Sequence, residues 1–152
     1  KRFAFALQPV LELRERQERQ RMQRLAEAQL VLQDAEARLA RLEDLRDEDV
    51  RAVRERHAEL ELEELQAYYG HLEHLGSEIV LQRERVAAAH SQVDAARAEL
   101  VAASTEKRIV ERLRERRFEA HQHEERLAEQ RQVDDTNARV ESRAREREVG
   151  NR

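Results

Sequence analysis

The sequence predicts an all-α fold, a long antiparallel two-helix coiled-coil hairpin with its turn within about 57–66 and a second helix longer than the first. Composition is the first reason. With 41% charged and 3% aromatic residues, three Gly, one Pro and no Trp, the chain has the bias of long helices and too little apolar bulk for a thick globular core. Periodicity is the second, because apolar residues recur at alternating three- and four-residue steps in two separate stretches, the pattern of a coiled-coil seam. Charge balance is the third: a net charge of -4 with ordered apolar spacing is unlike a strongly charged, aperiodic disordered chain.

Residues 1–8 are expected to form an arm and 9–57 the first helix, since Pro9 fits a first helical turn, where its missing N–H has no partner to lose. Because the chain begins with Lys rather than Met, its numbering is expected to start inside a longer reading frame. Leu25, Ala28, Leu32, Ala35, Leu39 and Leu42 form the first seam. In the second, Leu65, Leu72, Ile79, Val86, Val93 and Leu100 fall at heptad spacing, with Leu75, Gln82, Ala89, Ala96 and Ala103 between them.

No Gly, Pro or Asn stands between Pro9 and Gly70, so the turn has to be located by register. In an antiparallel pair the residues sharing a layer have a constant number sum. Sums of 121 and 128 both set large side chains against small ones. The first pairs Leu25 with Ala96, Leu32 with Ala89 and Leu42 with Ile79, with a turn near residue 60. The second pairs Leu25 with Ala103, Leu32 with Ala96 and Leu39 with Ala89, with a turn near residue 64. A turn at Gly70 to Gly76 would face Leu25 with His121, Leu32 with Arg114 and Leu39 with Lys107, and is rejected although glycine is the usual turn residue. The tip is therefore placed at 58–66 and the second helix at 67–147. Gly70 and Gly76 then sit inside that helix at a cost of about 1 kcal/mol each. Either the tip tolerates them, or another backbone comes close there.

Arg46, Asp49 and Arg56 hold seam positions towards the tip, which is expected to fray or to depend on a partner. Past Ala103 the phase slips, with Lys107 on the seam and Val110, Leu113, Ala120 and Leu127 on a shifted stripe. In either register residues 113–147 are expected to overhang the first helix, by about 40 Å beyond a paired shaft of about 70 Å. A solitary charged helix is marginal in water, so the overhang is expected to be frayed or sheathed.

The same residues exclude several function classes. The absence of Cys removes disulfides, thiolate zinc sites and cysteine nucleophiles and suits a reducing compartment, so a cytoplasmic location is expected. The opening KRFAFALQPVLELRER has too short an apolar run for a signal peptide or a membrane span. Net acidity argues against a nucleic-acid partner. There is no phosphate-cradling Gly-rich loop and no nucleophile elbow. His71 with His74, and His121 with Glu125, share a helical turn, but read as surface side chains rather than metal ligands. Carboxylates on a rod have no water-excluding pocket to shift their pKa. No catalytic residue, metal or cofactor is expected; the chain reads as a binding protein and not an enzyme.

Charge is uneven along the chain. Ten acidic residues stand against four basic ones from Glu43 to Glu64, whereas KRIVERLRERR, from Lys107 to Arg117, is Arg-rich. A solvated coil surface accounts for most of this and a partner-facing patch for the rest. Of Tyr68 and Tyr69, one is expected to pack under the tip and the other to be free to anchor a partner. Phe3 and Phe5 are expected to fold back over the first turn, with docking into a partner's groove as the alternative.

The opening FAFALQPVLELRER resembles the amino-terminal signature of the flagellar export protein FliJ family: a Phe-rich lead, Leu-Gln, an apolar pair and an Arg-rich helix, here Phe3, Phe5, Leu7, Gln8, Val10, Leu11 and Arg14. ELQAYYGHLEHLGSEIVLQRERV is similar to that family's second-helix start, and EKRIVERLRERR resembles its basic stretch. The ordered set carries the resemblance to about Ala138. Gly70, Gly76 and Ala6 depart from the family pattern, which leaves the fold untouched and bears on the contact surfaces.

The resemblance implies a cytoplasmic part of the type III export apparatus, peripheral to the inner membrane through its partners and similar to the central coiled coil of rotary ATPases. In that picture the hairpin stands in the pore of the hexameric export ATPase FliI. It links the ATPase to the cytoplasmic domain of the export gate protein FlhA and to export chaperones, with no ATPase activity of its own. The resemblance implies a gate-binding surface at Leu42, Leu45, Leu72, Leu75, Ile79 and Gln82. It also implies an ATPase-facing end at Phe5, Leu7, Gln8, Leu11, Arg14, Arg112, Leu113 and Arg116. Two other readings stay open: the equivalent stalk of a virulence type III system, and a self-associating structural coiled coil using Leu30, Val31 and Leu45.

Overall fold

The computed structural model describes residues 2–150; Lys1, the first residue of the expected arm, lies outside the described residues. Two α-helices make up nearly all of it, α1 over Gln8–Arg56 and α2 over Leu62–Val149. They run antiparallel as a hairpin, and the second is the longer, 88 residues against 49. No strand occurs among the described residues. The chain divides into two compact units, one of Lys1–Glu15 with Thr105–Arg152 and the other of Arg16–Ser104.

The Arg16–Ser104 unit contains the turn, which occupies residues 57–61, so α2 starts at Leu62, earlier than the expected 67. No glycine is needed to close it. The last turn of α1 ends in Arg54 and Arg56, whose charges complement the carbonyl end of the helix, and the Arg56 carbonyl accepts bonds from the amides of Glu59 and Leu60. On the other side Glu64 accepts a hydrogen bond from the Glu61 amide at 3.1 Å, half of a capping box, and Glu63 and Glu64 place negative charge on the α2 amino terminus. No residue among those described has a positive φ.

The core of this unit is the seam. Val53, Leu75, Ile79, Ala89, Val93 and Ala103 are buried, and Leu25, Leu32, Leu39 and Leu42 of α1 are half-buried, which is as much as a two-helix contact encloses. Each well-covered Leu or Ile contributes roughly 1.5–3 kcal/mol. Cross-helix polar contacts identify the register: Arg21 with Glu99 at 2.9 Å, Glu18 with Ser104 at 2.7 Å, and Asp49 with His71. All three pairs fall within a residue of the alignment that faces Leu25 with Ala96 and Leu42 with Ile79. The alternative, one heptad along, is not formed.

Gln82 gives a physical reason for that choice. It is a polar side chain in the apolar seam, only 3% exposed, and its amide donates to the Ala35 carbonyl at 2.9 Å. In the register not used, Gln82 would face Arg46 instead of Leu39. A buried amide that is satisfied in one alignment discriminates against the other, as polar seam residues do in coiled coils generally. Asp49, also at a seam position, is matched by His71, and α1 runs through the polar seam positions Arg46 and Asp49 to Arg56.

A Cβ built on Gly70 or Gly76 meets nothing within 4 Å. Gly70→Ala and Gly76→Ala should therefore each stabilise the hairpin by about 1 kcal/mol, seen as a higher urea midpoint with unchanged slope. A loss of stability in either variant would mean that the helix is not regular there.

In the unit of Lys1–Glu15 and Thr105–Arg152, the backbone enters α1 through a turn in which the Gln8 amide donates to the Phe5 carbonyl and the Leu11 amide to the Leu7 carbonyl, both at 3.0 Å. Pro9 falls in the first helical turn, where no amide is required of it. Leu11 is 2% exposed and Phe5 is 9% exposed; they are the buried residues of this unit. From residue 126 to 150 every side chain is exposed, so this last part of α2 has no cover from α1 or the arm.

Candidate partner-binding surfaces

The Lys1–Glu15 and Thr105–Arg152 unit brings the arm and the basic stretch of α2 together. Phe3 packs edge-on against Phe118, with ring centroids 5.2 Å apart, and against His121 at 5.5 Å. The Arg117 guanidinium lies over the Phe5 ring at 6.0 Å, within cation–π reach. The arm therefore packs on α2 at Phe118, His121 and Arg117, contacts that the expected fold-back over the first turn of α1 does not include. α2 at Phe118 offers Phe3 an aromatic partner worth about 0.5–1.5 kcal/mol beyond its area, and the first turn of α1, Gln8 to Leu11, holds no aromatic residue. Arg14 bridges to Glu106 across the helices, and Lys107, half-buried at its slipped seam position, pairs with Glu111 at 3.9 Å.

The residues expected at the ATPase-facing end all fall in this unit. Phe5 and Leu11 are core, Leu7, Gln8, Arg14 and Leu113 are half-buried, and Arg112 and Arg116 are exposed. Arg112 and Arg116, one helical turn apart, make no ion pair among the described residues and are open to a partner's carboxylates. A shallow crevice beside them is lined by Phe3, Glu111, Arg114, Glu115 and Phe118. Phe118 and His121 were not singled out from sequence as partners of the arm; the signal available was that Phe118 is the third of three Phe in the chain.

The surface expected for the gate needs correction. Leu75, Ile79 and Gln82 are 4, 1 and 3% exposed, and they hold the two helices together. They present no surface, because 72, 75, 79 and 82 follow the seam's own three- and four-residue steps. Leu42 and Leu72 are half-buried, and Leu45 is exposed. Leu30 and Val31 are exposed as well, on the outer side of α1. Tyr68 is half-buried in a hollow with Arg56, Leu60, Glu64 and His71, while its neighbour Tyr69 is exposed. No group of three or more His, Asp or Glu suited to hold a metal occurs among the described residues. No helix among them is long and apolar enough to cross a membrane.

A family model described as "Flagellar FliJ protein" matches residues 3–146, nearly the whole chain. The chain belongs to the FliJ family. The match takes in the arm, the turn, the basic stretch and most of the uncovered part of α2, and FliJ-family membership makes this a type III export-related stalk protein. No curated protein sequence matches it. Among solved structures it is similar to "Structure of a putative YscO homolog CT670 from Chlamydia trachomatis", with a TM-score of 0.68 over 93% of this chain and 96% of that one at 18% identity. At that identity the likeness speaks for the fold alone, and the fold it speaks for is the FliJ-type helical hairpin.

Proposed function

We propose that this FliJ-family chain is a non-enzymatic stalk and adaptor of the bacterial flagellar type III protein export apparatus. It acts in the cytoplasm and reaches the cytoplasmic face of the inner membrane only through its partners. It binds the hexameric export ATPase FliI and couples it to the cytoplasmic domain of the gate protein FlhA and to export chaperones. The observation that carries this reading is the family match over 3–146, which includes the stretch of α2 that has no cover from the rest of the chain. A single charged helix is marginal in water, and enclosure by a ring of subunits would stabilise it.

In this reading the residues of the ATPase-facing end divide by burial. Arg112 and Arg116 meet acidic groups of the ring through charge-assisted, fork-shaped hydrogen bonds, and Leu113 supports them from beneath. Phe5, Leu7, Gln8, Leu11 and Arg14 act by holding the arm and α2 in place. The gate contact falls to Leu45 with the exposed parts of Leu42 and Leu72, while Leu75, Ile79 and Gln82 set their spacing from the core. Co-purification of the full chain with the hexameric ATPase and the gate's cytoplasmic domain, with and without residues 113–147, tests the proposal.

A further inference from the structure

One face of α2 near the turn belongs neither to the core nor to the surfaces assigned to the ATPase and the gate. Leu62, Tyr69 and Gly76 are seven apart and Val80 lies four further on, so they line up along one side of the helix. Leu62, Tyr69 and Val80 are 72, 55 and 56% exposed. Single exposed apolar residues need no explanation, but an aligned row that includes one of only two Tyr in the chain does.

The glycines add a second observation. Gly76 stands in this row between Tyr69 and Val80, and Gly70 is the next residue after Tyr69. Neither has a positive φ, and neither would clash with its own chain if it carried a Cβ. The hairpin's own packing therefore gives no reason for two residues that each weaken a helix. A bare backbone on an exposed apolar row does give one, because another helix can cross close to it there.

Charge supplies the third. From Leu62 to Val80 the helix carries Glu63, Glu64, Glu73 and Glu78 and no Lys or Arg. Glu73 lies on the row itself, between Tyr69 and Val80, and makes no ion pair among the described residues. Across the groove Glu43 is already taken by Arg83 at 3.0 Å. A second copy of this chain would bring the same carboxylates to the contact and be repelled, whereas a cationic partner is attracted.

We propose that Leu62, Tyr69, Gly76 and Val80 form a docking face for a basic amphipathic helix of another protein. The partner's apolar side rests on Leu62, Tyr69 and Val80, its closest approach is over Gly76, and its Lys or Arg side chains reach Glu73 and its acidic neighbours. The face shares no residue with the ATPase and gate contacts, although Leu72 of the gate contact lies beside it, so failure here leaves the stalk reading as it stands.

The test is a titration of the isotopically labelled full chain with a synthetic amphipathic helical peptide of Leu, Ala and Lys, followed by amide chemical shifts. The same peptide with Glu in place of Lys is the control. The Lys peptide should move signals within 62–80 and the Glu peptide should not. Tyr69→Ala and Gly76→Ala should each weaken binding about tenfold. Gly76→Ala is the sharper variant, because it is expected to stabilise the fold, so weaker binding cannot be a folding defect. The proposal is overturned by absence of binding, by shifts that map elsewhere, by equal binding of the Glu peptide, or by unchanged affinity in both variants. It is also overturned if sedimentation shows a dimer of the full chain that Tyr69→Ala dissolves.

Discussion

Ile79→Ala is expected to destabilise the hairpin by about 2–5 kcal/mol, the range for emptying a buried large aliphatic site. Ile79 is 1% exposed, among the most buried large side chains, and it faces Leu42 in the register that the cross-helix contacts identify. A two-helix seam has one layer of side chains and no second shell to collapse into the space, so the upper half of that range is expected. Val31→Ala, on the exposed outer side of α1, should change stability by no more than about 0.5 kcal/mol. Urea unfolding followed by helical circular dichroism measures both. Comparable effects in the two variants would mean that the seam is not where the apolar contact lies.

Leu11→Ala should have an effect of similar chemistry and different reach. Leu11 and Phe5 are the buried residues of the Lys1–Glu15 and Thr105–Arg152 unit, so removing Leu11 takes away half of its apolar anchor. About 2–4 kcal/mol is expected from the residue type and its 2% exposure. The loss should appear first as local opening, with faster amide exchange at residues 8–15 and slow exchange retained within Arg16–Ser104. Uniform acceleration through both units would show that they unfold as one.

Much of this fold is legible in the sequence because coiled-coil packing is repetitive. The three- and four-residue steps from Leu25 to Leu42 and from Leu65 to Ala103 mark the helices and their contact, and Pro9 marks the start of α1. The turn was legible only indirectly, through the pairing of large with small residues, since its closure uses Arg54, Arg56 and the Glu61–Glu64 cap rather than glycine. Charged residues make up 41% of the chain, so those that cap do not stand out. Leu-against-Ala layers fit two registers equally; Gln82 separates them, by a hydrogen bond to a backbone carbonyl that no side-chain pattern encodes.

The contact surfaces were less legible, for a related reason. A heptad pattern marks the residues that face the partner helix and does not say which outer residues meet another protein. Periodicity puts Leu75, Ile79 and Gln82 in the seam and the family resemblance implies a gate surface there; they lie in the core, while Leu62, Tyr69 and Val80, one position further round the helix, are exposed. The seating of Phe3 on Phe118 and His121 is a contact between distant parts of the chain, set by which aromatic residues the register brings level.

The most direct test of the stalk assignment is co-purification with the hexameric export ATPase and the gate's cytoplasmic domain. The full chain should be retained by both. A chain lacking 113–147 should lose the ATPase and keep the gate domain, and Arg112→Glu with Arg116→Glu should weaken the ATPase contact while leaving helix content unchanged. Retention of the ATPase by the shortened chain and by the charge-reversed chain at the level of the full one would contradict the account.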